Sequence, residues 1–442
     1  MKYEFRKFYK FFSQWVKSLP LLFLLACHQN PPNQSGNYRV RIPLDDGTGH
    51  YSEQTVEIPN VKNLAAMATD TVVVRNEGTP SVEADSNGNL TSADPSFGNT
   101  PNAHFLKVGD IYYPSDYETL AMSTLLYHFS SIKTFFDRFG ANEGLAFPRM
   151  VMNDVAEFKV NDQVVPMSNN ARYVPFFDVF WINPYSEDNV SLAFNGGVLA
   201  HEYTHSIFQV ESKKYEKLKL DLKTTLEDEW QKYKARSSQE CKTAFPSDDD
   251  KEVKLSLSEM KKANNLISGA LNEAIADYYG FEYSKNPSFI MASFSNATDR
   301  DLSKEKKFLF SYNQQKSWIK NSLSKDSCGI DTHAVGAYFA AFLYLASCPH
   351  DDVKLPGEIH CPKDALGSEG TQRQTLKFIS RYLKQLDENF TTEFVSLGEA
   401  VKLFFKGLGK KGSESELCRQ TANLFPGELK ISDFCPEEKK KK

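Results

Sequence analysis

The stretch 198–210, VLAHEYTHSIFQV, places His201 and His205 four residues apart, with Glu202 beside the first. Residues four apart on a helix point in nearly the same direction, so both imidazoles can bind one metal ion. Glu202 lies too far round such a helix to be a third ligand, but it can act as a general base on a water molecule. Apolar residues flank the trio, as in a core helix with one polar face. The stretch therefore predicts a zinc site; a surface helix with two unrelated histidines is the alternative.

The whole chain has 442 residues, of which 40% are hydrophobic, enough to bury a substantial core. The formal net charge is −5. No basic surface for a nucleic acid is indicated by this balance.

Residues 1–26 combine basic side chains with a short apolar run, LPLLFLLA, that ends at Cys27. The run is too short to span a bilayer, so it predicts a secretion signal. Leu24-Leu25-Ala26-Cys27 resembles the bacterial lipoprotein cleavage box, which implies lipidation of Cys27 and anchoring to a membrane. That resemblance implies a location in the bacterial cell envelope, with the outer membrane favoured, or at the cell surface. An ordinary signal peptide with an incidental cysteine is the alternative.

Six further cysteines follow Cys27, and an even number in an exported chain predicts up to three disulfides. Fifteen connectivities are open to six cysteines. Cys348–Cys361 and Cys418–Cys435 are the first choices because they are closest in sequence.

The residue composition and hydrophobic pattern change along the chain. A segment rich in loop-forming residues is followed by one with alternating apolar residues and then by one with helical periodicity. We expect α+β architecture with these divisions: 27–104, a tether and a small, loosely ordered β segment; 105–210, a β-rich lobe ending in the zinc helix; 211–263, a charged helical insert; 264–436, a helical lobe; and 437–442, a charged tail.

Within these divisions the apolar periodicity predicts individual elements. A buried helix over 121–139 carries His128 in its core face, and strands are expected within 145–183. Five helices are predicted after the insert: Ile267–Tyr283, Lys306–Ser322, Ala334–Ser347, Thr371–Leu386 and Phe394–Leu408.

A catalytic zinc site usually has three protein ligands, so a third is needed. Glu273 and Asp277 lie four residues apart in SGALNEAIADYYG, on one face of a small-sided helix suited to burial. Glu273 is the candidate ligand, and Asp277 can accept the outer N–H of a ligand histidine. An amphipathic helix with two exposed carboxylates is the alternative.

At this point the sequence resembles the thermolysin-like and fungalysin-like zinc endopeptidases, the gluzincins. Three segments carry the resemblance in the family's order: HEYTH at 201–205, SGALNEAIAD at 268–277 and DTHAVG at 331–336. The resemblance covers about residues 105–410. It implies a mixed β-sheet lobe and a mainly helical lobe with the zinc helix between them.

The resemblance also implies a role for each matching residue: zinc ligands at His201, His205 and Glu273, a general base at Glu202, and support of His201 by Asp277. His333 would donate to the oxyanion. Asn170, Ala171 and Arg300 are candidate substrate binders. The alternatives are that Asn170 is an ordinary turn asparagine and that Arg300 is a solvated surface arginine.

Some positions depart from the family's pattern. Asn264 stands where a tyrosine usually assists the oxyanion, and Tyr173 is a possible substitute. Asp331 or Asp326 is expected to orient His333, since the usual aspartate is absent. Calcium is possible, but no calcium-binding run is recognisable.

The predicted function is a lipid-anchored, monomeric zinc endopeptidase that binds one Zn²⁺ and cleaves a protein or peptide substrate. A surface binding or adhesion lipoprotein that retains the zinc scaffold without turnover is the alternative. The intact Glu202 and His333 favour the enzyme, because a binding module needs neither.

Overall fold

The computed structural model describes fifteen stretches of the chain: 35–78, 81–84, 90–94, 96–153, 157–160, 163–166, 170–175, 177–183, 190–215, 251–304, 306–323, 330–348, 361–390, 392–408 and 415–435. Residues 1–26, Cys27 and the tail 437–442, for which the sequence makes predictions, lie outside these stretches. The protein is a mixed α+β structure, as the sequence predicts.

Thirteen strands are formed by the described residues: β1 Gly36–Asp45, β2 Tyr51–Asn63, β3 Ala68–Thr69, β4 Val72–Arg75, β5 Ser81–Ala84, β6 Leu90–Asp94, β7 Phe105–Val108, β8 Ile111–Pro114, β9 Arg149–Asn153, β10 Glu157–Val160, β11 Gln163–Pro166, β12 Ala171–Val174 and β13 Val179–Ile182. Nine of them form one mixed sheet in the order β12-β13-β9-β4-β3-β2-β1-β8-β7. The other four form a smaller sheet, β11-β10-β5-β6.

Strands β1 to β4 belong to the large sheet, while β5 and β6 belong to the smaller one. This differs from the sequence interpretation of residues 27–104 as a tether and a small, loosely ordered β segment. β1 pairs in parallel with β8, and β4 pairs in parallel with β9. Alternate β1 side chains, among them Val40 and Ile42, are fully buried. Short strands with intervening Asn, Gly and Ser conceal this pairing in the sequence, because the partners are distant along the chain.

Helix α1, Tyr117–Asp137, packs on the sheet. Asp116 caps its first turn by accepting a hydrogen bond from the Thr119 N–H at 2.7 Å. His128 is buried within it, 6% exposed, and its Nδ1 lies 3.0 Å from the Tyr283 hydroxyl. The prediction of a core histidine at this position is confirmed.

The remaining helices in the described part of the chain follow residue 195: α2 Gly196–Ser212, α3 Leu257–Ser284, α4 Tyr312–Ser322, α5 Thr332–Ser347, α6 Gly367–Asn389, α7 Leu397–Lys406, α8 Glu416–Leu424 and α9 Ile431–Phe434. Short 3₁₀ turns occupy Phe289–Ala292 and Thr298–Arg300.

Both ends of the predicted charged insert 211–263 lie in helices. Helix α2 continues to Ser212, and Ser256 starts α3 with a capping box, accepting from the Glu259 N–H at 3.3 Å. Residues 216–250 lie outside the described stretches, so the predicted helical pair is not among the elements above.

Two predicted disulfides are present, Cys348–Cys361 and Cys418–Cys435, with Cα–Cα distances of 5.5 Å and 6.3 Å. Cys241 and Cys328 lie outside the described residues. Across the described stretches, no helix combines the length and the apolar character needed to cross a membrane.

The first prediction concerns His128. Burial lowers the pKa of His128 from 6.5 to about 4. The unfolded chain therefore binds a proton between these values that the folded chain does not, and the free energy of unfolding falls as the pH falls through this window. Between pH 7 and pH 5, the protonation of His128 in the unfolded chain should lower the free energy of unfolding by about 2 kcal/mol.

Urea unfolding of wild type and His128→Gln at both pH values measures this contribution. The glutamine amide can still bond to the Tyr283 hydroxyl, so the variant should fold. Its stability should fall by about 2 kcal/mol less than that of wild type over the same interval. An identical pH dependence in the two proteins would show that His128 is not the titrating group.

Candidate metal centre

Helix α2 is anchored at its first turn, and this fixes the direction of its histidines. Asn195 accepts a hydrogen bond from the Val198 N–H at 3.2 Å. The same side chain donates to the Phe289 carbonyl at 2.8 Å and to the Ser293 hydroxyl at 2.9 Å. An asparagine cap therefore ties the start of the helix to the segment after α3.

Two glycines bring the helices of the site close together. A Cβ on Gly280 of α3 would lie 2.7 Å from the Gly197 carbonyl of α2, too near for any side chain. A Cβ on Gly336 of α5 would overlap the Ala270 carbonyl of α3. α2, α3 and α5 consequently pack backbone to backbone beside the polar cluster.

The three predicted ligands lie together. His201 Nε2 is 3.0 Å from His205 Nε2, and Glu273 Oε2 is 3.2 Å from the first and 3.7 Å from the second. Donor atoms that bind one ion tetrahedrally at about 2.1 Å lie about 3.4 Å apart, so these separations match a shared ion. His201, His205 and Glu273 form the one group of at least three potential ligands in the described part of the chain.

Unsatisfied atoms also point to a missing partner. Glu273 Oε2 is buried and makes no hydrogen bond of normal geometry within the described residues, although three imidazoles surround it. A buried carboxylate oxygen without a hydrogen bond is costly, and a cation would satisfy it. The donor set therefore fits a metal ion.

Asp277 lies behind the first ligand, as predicted. Its Oδ1 is 2.9 Å from His201 Nδ1, which leaves Nε2 free to face the other two ligands. Burial alone would lower the pKa of His201, but the hydrogen bond to Asp277 and the nearby negative charge of Glu273 outweigh burial and raise the pKa of His201 to about 9.

Arg300 is not a solvated arginine, and its guanidinium is already paired. It donates to both Asp277 oxygens, at 2.5 Å and 3.1 Å, and its side chain is 13% exposed. Burial would raise the pKa of Asp277, but Arg300 and His201 hold it below its ordinary value. A carboxylate on an alanine-rich buried helix needs a cationic partner. Asp277 in such a helix is therefore the feature of the sequence that could have predicted a buried arginine beside it.

Glu202 is buried beside the cluster. Its Oε1 lies 3.9 Å from His201 Nε2, and its Oε2 accepts a hydrogen bond from the Tyr173 backbone N–H at 2.7 Å. Sequence reasoning missed this contact because a backbone donor has no residue type to recognise.

His333 begins α5 and faces the same point. Its Nε2 lies 3.2 Å from Glu273 Oε2, and its Nδ1 lies 3.0 Å from Asp331 Oδ1. Asp331 is thus the residue that orients His333, and Asp326 lies outside the described residues. His333 is 42% exposed, which leaves its ring accessible from solvent.

The other candidates are placed differently. Asn170 precedes β12 and its side chain accepts from the Ala171 N–H at 2.9 Å, while Ala171 is buried. Asn264 is fully buried and bonds to the Phe390 and Glu393 carbonyls, so it stabilises a distant segment instead of the cluster. The Tyr173 hydroxyl, the suggested substitute for the family's tyrosine, donates to Asp178 at 2.7 Å.

Comparison with known proteins does not assign the chain to a family. A scan against protein-family models finds no match, and a search of the curated proteins finds none either.

The second prediction concerns metal stoichiometry. Purified protein exposed to divalent ions and then dialysed should retain about one ion per chain, because three donor atoms converge on one point. Glu273→Ala should lose stoichiometric binding. Asp277→Asn should weaken affinity roughly 10- to 100-fold, since it removes the support of His201.

Elemental analysis and isothermal titration measure both effects. Glu388→Ala is the matched control, because Glu388 is an exposed helical glutamate far from the cluster in sequence. Full occupancy in Glu273→Ala would remove this residue from the ligand set.

Proposed function

We propose that the chain is a zinc-dependent endopeptidase of the thermolysin-like and fungalysin-like type. The observation that carries the proposal is the convergence of His201, His205 and Glu273 on one point that Glu202 and His333 also border. A binding site for a structural ion has no need of the last two groups.

Zinc is the proposed ion because the donor set contains two imidazoles and one carboxylate. That set leaves a fourth tetrahedral position open, which is typical of catalytic and not of structural zinc sites. When bound, zinc would act as a Lewis acid and lower the pKa of a water molecule toward neutrality.

Glu202 would act as the general base. Its Oε2 is held by the Tyr173 N–H, so Oε1 remains on the side of the cluster. A carboxylate held in this way can accept a proton from water and later deliver it to the leaving amine.

His333 would donate a hydrogen bond to the substrate carbonyl oxygen as negative charge develops there. Asp331 accepts from Nδ1–H, and Nε2 faces the cluster. Both ring nitrogens donate only in the imidazolium form, so this role requires the doubly protonated ring, with Nε2–H as the donor aimed at the cluster. A donor fixed before the reaction stabilises developing charge without reorganisation.

The proposed fold is two-lobed, with the β-rich residues before Gly196 on one side and the helices after it on the other. Its support is that α2 carries His201 and Glu202, while β12 reaches Glu202 from the sheet and α5 supplies His333. The substrate cleft would lie between the sheet edge and the helices.

A binding lipoprotein without turnover is the second candidate, and one observation favours it. Neither Asn264 nor the Tyr173 hydroxyl can assist an oxyanion, because both are bonded elsewhere. His333 would be the remaining side-chain donor, which is compatible with a slower enzyme.

The third prediction separates these candidates by steady-state kinetics on one peptide substrate at matched zinc content. Glu202→Gln should lower kcat by about 10²- to 10⁴-fold with zinc retained, because the general base is lost. His333→Ala should lower kcat and kcat/KM by similar factors of about 10²–10³, because its bond strengthens in the transition state.

His50→Ala is the control for a histidine outside the cluster, in an exposed loop. Folded fraction is measured for each protein. An unchanged kcat per folded His333→Ala molecule would exclude His333 from catalysis, and no hydrolysis by wild type on a broad peptide library would favour the binding protein.

The proposed location is the cell envelope, through lipid attached at Cys27. The support is the short apolar run that ends in Leu-Leu-Ala-Cys. The fourth prediction is that the expressed protein partitions into the detergent phase on phase separation, whereas Cys27→Ala moves to the aqueous phase. Equal membrane association and processing of the two proteins would contradict the anchor.

A further inference from the structure

We propose that Arg149, Asp178 and Tyr173 form a positioning network that holds the Tyr173 backbone N–H on Glu202 and so fixes the orientation of that carboxylate. The consequence for turnover rests on the proposed function. The network itself is a property of the folded chain and can be tested without activity.

The need for positioning arises because Glu202 is bonded to an edge strand. Among the described strands, β12 lies at the edge of the large sheet and pairs with β13. An edge strand has backbone groups with no partner strand, and it is restrained on one side. The Tyr173 N–H is used for Glu202 instead, at 2.7 Å, where both residues are buried.

The network ties this edge to an inner strand. The Tyr173 hydroxyl donates to Asp178 Oδ1 at 2.7 Å. Asp178 also accepts two hydrogen bonds from Arg149, at 3.0 Å and 2.7 Å. Arg149 begins β9, which pairs with β13 on the side away from β12. The edge strand is thus connected across β13 to the body of the sheet.

The geometry of Arg149 and Asp178 indicates that these residues orient the edge strand in addition to packing against it. Arg149 is 2% exposed and its guanidinium lies over the Phe180 ring at 5.1 Å. Arg149 is buried but the Asp178 side chain is 43% exposed, and an ion pair open to solvent on one side adds little net stability, so we assign this pair a role in orientation. Asp178 has a φ of 54°, a conformation unfavourable for a non-glycine residue, which places its carboxylate between the other two groups.

A neighbouring cavity makes the network accessible from solvent. The cavity has a volume of about 310 Å³, and Arg149 and Asp178 are among the residues that line it. The Asp178 side chain is 43% exposed. A small carboxylate such as formate can therefore reach the position of the Asp178 carboxylate once that group is removed.

The first arm of the test uses metal-free protein and no substrate. Hydrogen–deuterium exchange of the peptide containing residues 171–174 should show a protected Tyr173 amide in wild type. Asp178→Ala and Glu202→Ala should each accelerate exchange of that amide by at least ~10-fold, because the hydrogen bond opens more often. Added formate should restore protection in Asp178→Ala and have no effect in Glu202→Ala.

Tyr203→Phe is the matched control. Tyr203 is a buried tyrosine whose hydroxyl donates to Asn142 at 2.8 Å and whose ring also packs on Phe180. Losing this hydroxyl should leave exchange of the Tyr173 amide unchanged. If Asp178→Ala does not fold, Tyr173→Phe tests the same link, since it keeps the ring contact with Phe180.

The second arm measures peptide hydrolysis. Tyr173→Phe and Asp178→Ala should each lower kcat by about 10- to 100-fold with KM little changed, because misplacing a catalytic group slows the chemical step. Formate should recover kcat in Asp178→Ala. It should not do so in the Tyr173→Phe/Asp178→Ala double variant, where the hydroxyl that contacts the carboxylate is missing.

Unchanged exchange of the Tyr173 amide in folded Asp178→Ala and Tyr173→Phe would overturn the network, and so would equal formate rescue of the single and double variants. If wild type hydrolyses no peptide but the exchange results hold, the proposed function fails and the positioning of Glu202 stands.

Discussion

The interaction on which the site depends is the burial of two carboxylates, Glu273 and Asp277, where α3 meets α2. Removing carboxylates from water is unfavourable unless each finds a positive or hydrogen-bonding partner. Asp277 has Arg300 and His201, whereas the charged or polar side chains next to Glu273 in the described part of the chain are imidazoles. The close approach at Gly280 brings the backbones of α2 and α3 together beside these carboxylates. The helix interface therefore creates the demand for a cation that the metal centre would meet.

The need to neutralise buried carboxylates also explains why positive and negative groups alternate from Arg300 through Asp277 and His201 to Glu273. Arg300 neutralises Asp277, Asp277 accepts from His201 Nδ1, and His201 Nε2 then faces Glu273. Each group fixes the orientation of the next, so the imidazole tautomer is determined by a residue that would not touch the ion. His205 differs, because its Nδ1 is buried without a partner in the described residues. We expect His201 to be the better oriented of the two ligands.

The sequence predicted the parts of the site that depend on local spacing. His201, His205, Glu273 and Asp277 were found because a helix turns four residues into one direction. The two disulfides were found because short loops close easily. The assignment of β1 to β4 to the large sheet was not predictable, since parallel pairing with β8 and β9 joins segments distant along the chain. The roles of Arg300 and Asn264 were missed for a similar reason: their partners are set by tertiary packing.

The contact between Tyr173 and Glu202 is the feature of the site that is hardest to predict from the sequence. Its donor is a backbone amide, which every residue except proline has, so no substitution at position 173 other than proline removes it directly. What the side chains decide is whether that amide stays in place. Tyr173, Asp178 and Arg149 are a tyrosine, an acid and a base scattered over thirty positions, and they match no local spacing rule. Their joint effect appears only when β9, β13 and β12 are assembled side by side. Residues that act through a backbone group of another residue are therefore the class that spacing arguments miss, and in this protein they connect through the Tyr173 N–H to the carboxylate proposed as the base.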